Sequence, residues 1–277
     1  MNREASECSQ TLVGALQGSR DTLREKRSPT SPTEPQAPAT AMKPEQTGVS
    51  VVLLGTFKVS DFELDQVRSL KALSENDLEQ AHYEGLLHEQ IVSLIFPWGK
   101  LVAVTDRLSV EVANAPFVRG PDLLLKLLRD ASPTSTVAKF GINLTSHFRY
   151  DSVEARDVFA GRLAPPNAWG WFGDDVEKSF KEKDDRHGGL MRITMRHAAP
   201  GDRTKGWIDV TVEPSRLFGN QGVAITVNDH YEVSVEESDS LRSPRAISEV
   251  LLAMVESGFD NSVERSFRIC DAVIGGA

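Results

Sequence analysis

A chain of 277 residues that is 40% hydrophobic and 26% charged has the composition of an ordinary globular protein and the length to bury a large core. Its net charge is −9, and residues 1–47 hold six basic and six acidic side chains, so the whole acid excess lies in the remainder. That argues against a surface built to track phosphates. No apolar run reaches the roughly 18 residues a membrane span needs, and two cysteines, Cys8 and Cys270, indicate neither a disulfide framework nor a metal site.

Taken in order, residues 1–47 read as a disordered leader. Pro29, Pro32, Pro35, Pro38 and Pro44 recur among Ser, Thr, Ala and Gln, a composition that cannot bury enough apolar surface to offset its ordering entropy. No sustained apolar segment follows the N-terminus, so no secretory signal is read there. Met42 stands just ahead of the first foldable stretch.

From residue 48 the text is structured. Val51 to Val59 reads as a strand, with Gly55 marking a bulge or a close backbone approach. Ser60 to Glu63 and Ser74 to Asp77 have the form of capping boxes and predict two helices, the second running towards Leu87. Residues 89–96 and 101–105 make a hairpin around Pro97-Trp98-Gly99-Lys100, and Leu108 to Val112 makes the next strand. A helix with Pro121 in its first position follows, apolar almost all round through Leu128.

The second half opens with an extended run from Val137 to Tyr150, then a helix capped from Asp151. Leu163 to Gly173 holds two prolines and two glycines, which predicts an irregular loop carrying Trp169, Trp171 and Phe172. A charged helix spans Asp174 to Lys183. Met191, Ile193 and Met195 alternate with Arg192, Thr194 and Arg196, the pattern of a strand with one buried and one wet face. Strands follow at Trp207 to Val212 and over Val223 to Val235. Ser243 as N-cap and Gly258 as stop define a helix, with a further helical segment after it.

Lys100 to Leu128 is echoed later in the chain. Asp106, Leu108, Val110, Pro121 and Leu124 match Asp229, Tyr231, Val233, Pro244 and Ile247 at one constant offset. The expected fold is therefore α+β: an internally duplicated unit of largely antiparallel sheet plus packing helices, in two halves, residues 48–135 and 136–277, forming one body.

Motifs with dedicated chemistry are absent: no phosphate loop, no dinucleotide fingerprint, no nucleophile elbow, no zinc signature. Catalytic residues, metal ligands and cofactors are accordingly not assigned. Four weaker candidates remain. Trp169, Trp171 and Phe172 beside glycines have the character of interface anchors and are the candidate protein-binding residues. Arg192 and Arg196 share one strand face and could grip an anion. Asp174, Asp175, Asp184, Asp185 and His187 could hold a divalent ion, and His147 could act as a general base if a carboxylate oriented it.

The segments "DRLSVEV", "FGINLTSHF" and "LLAMVESGFDNSVERSF" together resemble a sporadically distributed, uncharacterised bacterial family whose members carry a mid-chain strand of R-Y-I-N-R type. Phe140-Gly141-Ile142-Asn143-Leu144 stands here where that family has its Arg-Tyr pair. The resemblance implies a cytoplasmic bacterial protein and no particular activity. The expected role is a non-enzymatic protein-binding or assembly component of a bacterial cytoplasmic system, with a protein partner or self-association and with neither nucleic acid nor membrane as target. The alternative is an enzyme with an unfamiliar site, such as a metal-assisted hydrolase using the Asp174 to His187 region.

Overall fold

A computed structural model describes residues 42–85, 90–182, 189–198, 204–233 and 243–276. The expected leader lies outside them up to residue 41. Its last residues are already part of the fold, since β1 (Gln46–Thr56) begins at Gln46.

The described chain forms one nine-stranded antiparallel sheet with helices on one side. β1 is followed by a 3-10 turn (Val59–Phe62) and two short helices, α1 (Leu64–Ser69) and α2 (Glu75–Gln80). β2 (His82–Tyr83), β3 (Ile91–Phe96), β4 (Gly99–Val104) and β5 (Arg107–Val112) lead to α3 (Arg119–Lys126), which continues as a wider π turn (Leu127–Ala131). Then come β6 (Thr136–Arg149), α4 (Val153–Leu163), a 3-10 turn (Pro166–Trp169) and α5 (Trp171–Glu182). β7 (Ile193–Ala198), β8 (Thr204–Pro214), β9 (Gly222–Val233) and α6 (Pro244–Gly276) complete it.

The strand order β2-β3-β4-β5-β1-β6-β9-β8-β7 is itself duplicated. β1 and β6 lie side by side at the centre. Each is bonded on its outer side to the last strand of a three-strand meander, β3-β4-β5 or β7-β8-β9, and each meander is followed by a helix, α3 or α6. The echoed aspartates are not equivalent inside this plan: Asp106 sits in the tight turn between β4 and β5, whereas Asp229 lies within the continuous strand β9.

Alternation fixes which face is covered. Val49, Val51 and Leu53 of β1 pair with Leu144, Ile142 and Phe140 of β6 and with Val112, Val110 and Leu108 of β5, all at 1% exposure or less. α6 lies along β6 and β9, and α3 packs against β5 and β1. Leu251, Val255 and Phe259 of α6 are buried in the same core; each stabilises the fold by about 1.5–3 kcal/mol.

Several local expectations are corrected. The Ser60 to Glu63 box forms the 3-10 turn, and Glu63 caps α1 without a side-chain bond, whereas Ser74 does cap α2, accepting from Asp77 N. α2 stops at Gln80 because the chain must extend to pair β2 with β3. The helix after β6 is capped by Ser152, one residue beyond Asp151. Arg119 opens α3, so Pro121 lies inside its first turn, where no helical N–H is lost. Gly258 does not stop the last helix, and α6 runs through 33 residues. A mid-helix glycine costs about 1 kcal/mol, which the packing of Phe259, Ser262, Ser266 and Cys270 beyond it offsets. β7 has no buried face, since Met195 is 73% exposed at the sheet's edge.

Candidate functional site

The side of the sheet opposite the helices is uncovered among the described residues. Its side chains come from the alternate positions of each strand, and cross-strand pairing lines them up in rows. One row reads Thr194, Thr211, Thr226, Thr145 and Gly48 across β7, β8, β9, β6 and β1. The next reads Arg196, Asp209, Asn228, Asn143, Ser50, Glu111 and Lys100, and the one beyond it Ala198, Trp207, His230, Gly141, Val52 and Ser109. Such a face is wet in most antiparallel sheets; here it is also organised.

The hydroxyls of Thr194 and Thr211 meet at 2.9 Å, and those of Thr145 and Thr226 at 3.0 Å. Asn143 donates to Ser50 Oγ at 3.3 Å. Arg196 is held bidentately by Asp209, both bonds 2.7 Å, and lies over the Trp207 ring with its guanidinium carbon 4.5 Å from the centroid. Trp207 in turn stacks on His230, the centroids 4.0 Å apart and the planes at 24°. The three groups form a column that runs across β7, β8 and β9 and ends where β6 contributes Gly141.

One buried polar group at that end is unsatisfied. His230 Nε2 is fully enclosed yet without a hydrogen bond among the described residues; the Glu232 carboxylate stands 3.8 Å away, too far to bond, and is itself held by Lys139 at 2.8 Å. Burial holds the His230 imidazole below its ordinary pKa, with the nearby Glu232 opposing, so the ring is neutral near pH 7. The Asn228 amide has no partner among the described residues, and its Oδ1 leans over Gly141, 3.0 Å from where a Cβ would stand.

Charge on this face is balanced by pairs. Arg196 holds Asp209 below the usual carboxylate range, Lys139 does the same for Glu232, Lys100 pairs with Glu84, and Arg192 stands 3.9 Å from Glu213. Arg192 and Arg196, the expected anion grip, are thus each committed to a carboxylate of β8.

At the end of β6, His147 Nδ1 lies 2.9 Å from Ser215 Oγ, which also accepts from Leu217 N at 3.1 Å. Phe218 meets the imidazole edge-on. Burial lowers the His147 pKa and the field of Glu213 opposes it. The serine is 3% exposed and serves the turn between β8 and β9, so the pair is closed to a substrate as it stands.

The remaining expected sites fall elsewhere. Trp169 ends the second 3-10 turn, and Trp171 and Phe172 open α5 instead of lying in an irregular loop, because Gly170 takes a positive φ of 58° that reverses the chain into the helix. All three are more than half exposed, and Trp171 meets Phe172 edge-on at 6.1 Å. Asp174 and Asp175 lie on α5, exposed; Asp184, Asp185 and His187 are outside the described residues, among which no group of three metal-ligating side chains occurs. Reading the sequence missed Trp207, Asn228 and His230. The available signal was the run of small polar residues at alternate positions of two apolar strands, Asn143 and Thr145 in one, Thr226 and Asn228 in the other.

Among the described residues no helix is long and apolar enough to cross a membrane. No family model and no curated protein sequence matches the chain. Among solved structures it is similar to a rolling circle replication initiator protein from Geobacillus stearothermophilus at 9% identity, covering 77% of this chain and 80% of that one, with a TM-score of 0.26. The non-enzymatic binding or assembly role expected from the sequence is set aside, and a likeness this slight supplies no function in its place.

Proposed function

We propose that the uncovered sheet face binds a small, uncharged, hydrogen-bonding ligand centred on Gly141, between Asn228 and His230. The observation that carries this reading is His230 Nε2, buried without a hydrogen bond among the described residues, beside the Asn228 amide that reaches over Gly141, the one position of the row that has no side chain. Buried polar atoms are nearly always bonded, and one left open on a sheet face is a place where a partner completes the set. Balanced ion pairs on the same face, and a net charge of −9, speak for an uncharged ligand over a polyanion. A reducing cytoplasm suits the reading, since the buried Cys270 has no disulfide partner among the described residues.

The test is a titration of the isotopically labelled protein with small uncharged compounds and, separately, with a single-stranded oligonucleotide at low and high salt. Side-chain amide signals of Asn143 and Asn228 that move with a small compound support the reading. Signals that move only with the oligonucleotide, and return at high salt, would replace it with a polyanion surface; an inert face would end it.

A further inference from the structure

The uncovered face differs between the two halves of the sheet. Over β6, β9, β8 and β7 it carries threonines, asparagines and the column of Arg196, Trp207 and His230; over β3, β4, β5 and β1 it is largely aliphatic. There the pairing puts Ile91, Val104, Arg107 and Leu54 in one row, Ser93, Val102, Ser109 and Val52 in the next, and Ile95, Lys100, Glu111 and Ser50 in a third. Ile91 and Leu54 are exposed, and Val52, Ile95, Val102 and Val104 are partly so. A contiguous aliphatic plate of this kind marks a surface that another protein covers.

We infer that the cover is a second copy of this chain, stacked face to face about a twofold axis that crosses β5 at Ser109. The charges of the plate identify it. Lys100 is taken by Glu84, but Arg107 and Glu111, both exposed, have no side-chain partner among the described residues. They stand on the same face of β5 four residues apart, roughly 13 Å, with Ser109 midway. An axis that lies between the two faces and runs along the Ser109 row turns β5 end for end. Arg107 of each copy then lies over Glu111 of the other, so one pair of residues satisfies both charges twice. A foreign partner would need its own acid and base at that spacing; a second copy carries them already, in the reversed order that the axis demands.

The same operation sets aliphatic on aliphatic. Residues of the central row face their own copies, so Val102 meets Val102 and Val52 meets Val52. The outer rows exchange, which lays Ile91 over Ile95 of the other copy and Val104 over the methylene stem of Lys100. No two like charges fall opposite one another. Four strands about 4.8 Å apart and six residues long at about 3.4 Å make a plate roughly 20 Å on each side. That is less than the ~800 Å² per partner of a standard stable complex, so the association is weak, with a dissociation constant in the micromolar range or above. Gly141 lies one strand beyond Val52, at the margin of the plate, and the association does not depend on a ligand between Asn228 and His230.

Sedimentation velocity of the full chain, from micromolar to submillimolar concentration, tests the arrangement. The parent protein should pass from monomer to dimer and no further. Arg107→Glu and Glu111→Arg should each weaken the dimer at least about tenfold, because each sets like charges opposite one another at two places. The two substitutions together should restore it, since the swapped pair is complementary again under the same axis. Val102→Asp should leave only monomer, because it brings two carboxylates together on the axis. All four substitutions lie on the water side of the sheet, and circular dichroism checks that each variant is folded; if Val102→Asp is not, the charge reversals decide alone. A parent that stays monomeric throughout overturns the inference, as does a dimer indifferent to Arg107→Glu. Single reversals that weaken the dimer without recovery in the double variant overturn the axis, and with it the proposed stacking.

Discussion

Ser262 of α6 donates to Asp229 of β9 at 2.7 Å, in a place where neither residue is exposed to solvent. Tyr231 donates to the same carboxylate oxygen at 2.7 Å, and Arg265 completes the set, bonding both Asp229 and the Tyr231 hydroxyl. Burial first, and then the bond to Asp229, pushes the Tyr231 phenol up to about 12. This network ties the long helix to the strand that also carries Asn228 and His230. Asp229→Ala should therefore destabilise the protein by about 3 kcal/mol, because it strands Arg265 beside a hole, while Ser262→Ala removes one bond and costs about 1 kcal/mol. Urea denaturation with an unchanged slope checks both values.

Acid should weaken the fold through the two histidines of the open face. Both are held below the ordinary value by burial, His147 against the field of Glu213 and His230 against that of Glu232. The unfolded chain binds the proton more readily than the folded one, so this contribution is complete above the unfolded pKa of about 6.5 and fades as pH falls through the folded values. Stability measured at pH 7.5 and 5 should fall more for the parent protein than for His147→Gln with His230→Gln. An equal fall would assign the acid sensitivity to the carboxylates.

Two glycines should respond to alanine with opposite signs. A Cβ at Gly99 would stand 2.0 Å from Glu111 O, inside the β4 to β5 pairing, so Gly99→Ala should cost about 2 kcal/mol or more. At Gly258 a Cβ meets nothing within 4 Å and the backbone is helical, so Gly258→Ala should stabilise by about 0.5–1 kcal/mol. Thermal unfolding of the two variants reads the difference directly.

Trp169 and Trp171 are 64% and 76% exposed, so replacing each by alanine removes little burial. The double variant should keep its stability within about 0.5 kcal/mol per site. A larger loss would show that these rings pack against something in solution.

Cys270 should resist alkylation while the protein is folded. Its thiol is 2% exposed, and burial pushes its pKa up to about 12, which leaves almost no thiolate at neutral pH. Peptide mass analysis after iodoacetamide treatment should find this residue unmodified in the native protein and fully modified in urea.

How much of this was legible in the sequence depended on whether a signal was local. Gly55 read as a bulge or a close approach, and it is both: the β1 to β6 register shifts between Leu54 and Gly55, and a Cβ at Gly55 would lie 1.9 Å from Thr136 O. Ser74 and Ser243 read as caps and are, because a cap is made with the backbone three residues on. The alternation of Val223, Ile225 and Val227 marks the face of β9 that the core covers. By contrast, Gly258 read as a stop, and only the sheet beneath α6 shows why the helix passes through it.

The sequence by itself determined most of the strands, the class of fold and its duplicated plan, since each follows from side-chain periodicity and turn chemistry within short windows. The tertiary structure alone decided the candidate site. Arg196, Trp207, His230, Gly141 and Val52 lie on five different strands, and the register of four pairings brings them together. That register is a balance of contacts between segments far apart in the chain, and it leaves no trace in the local pattern of any one of them.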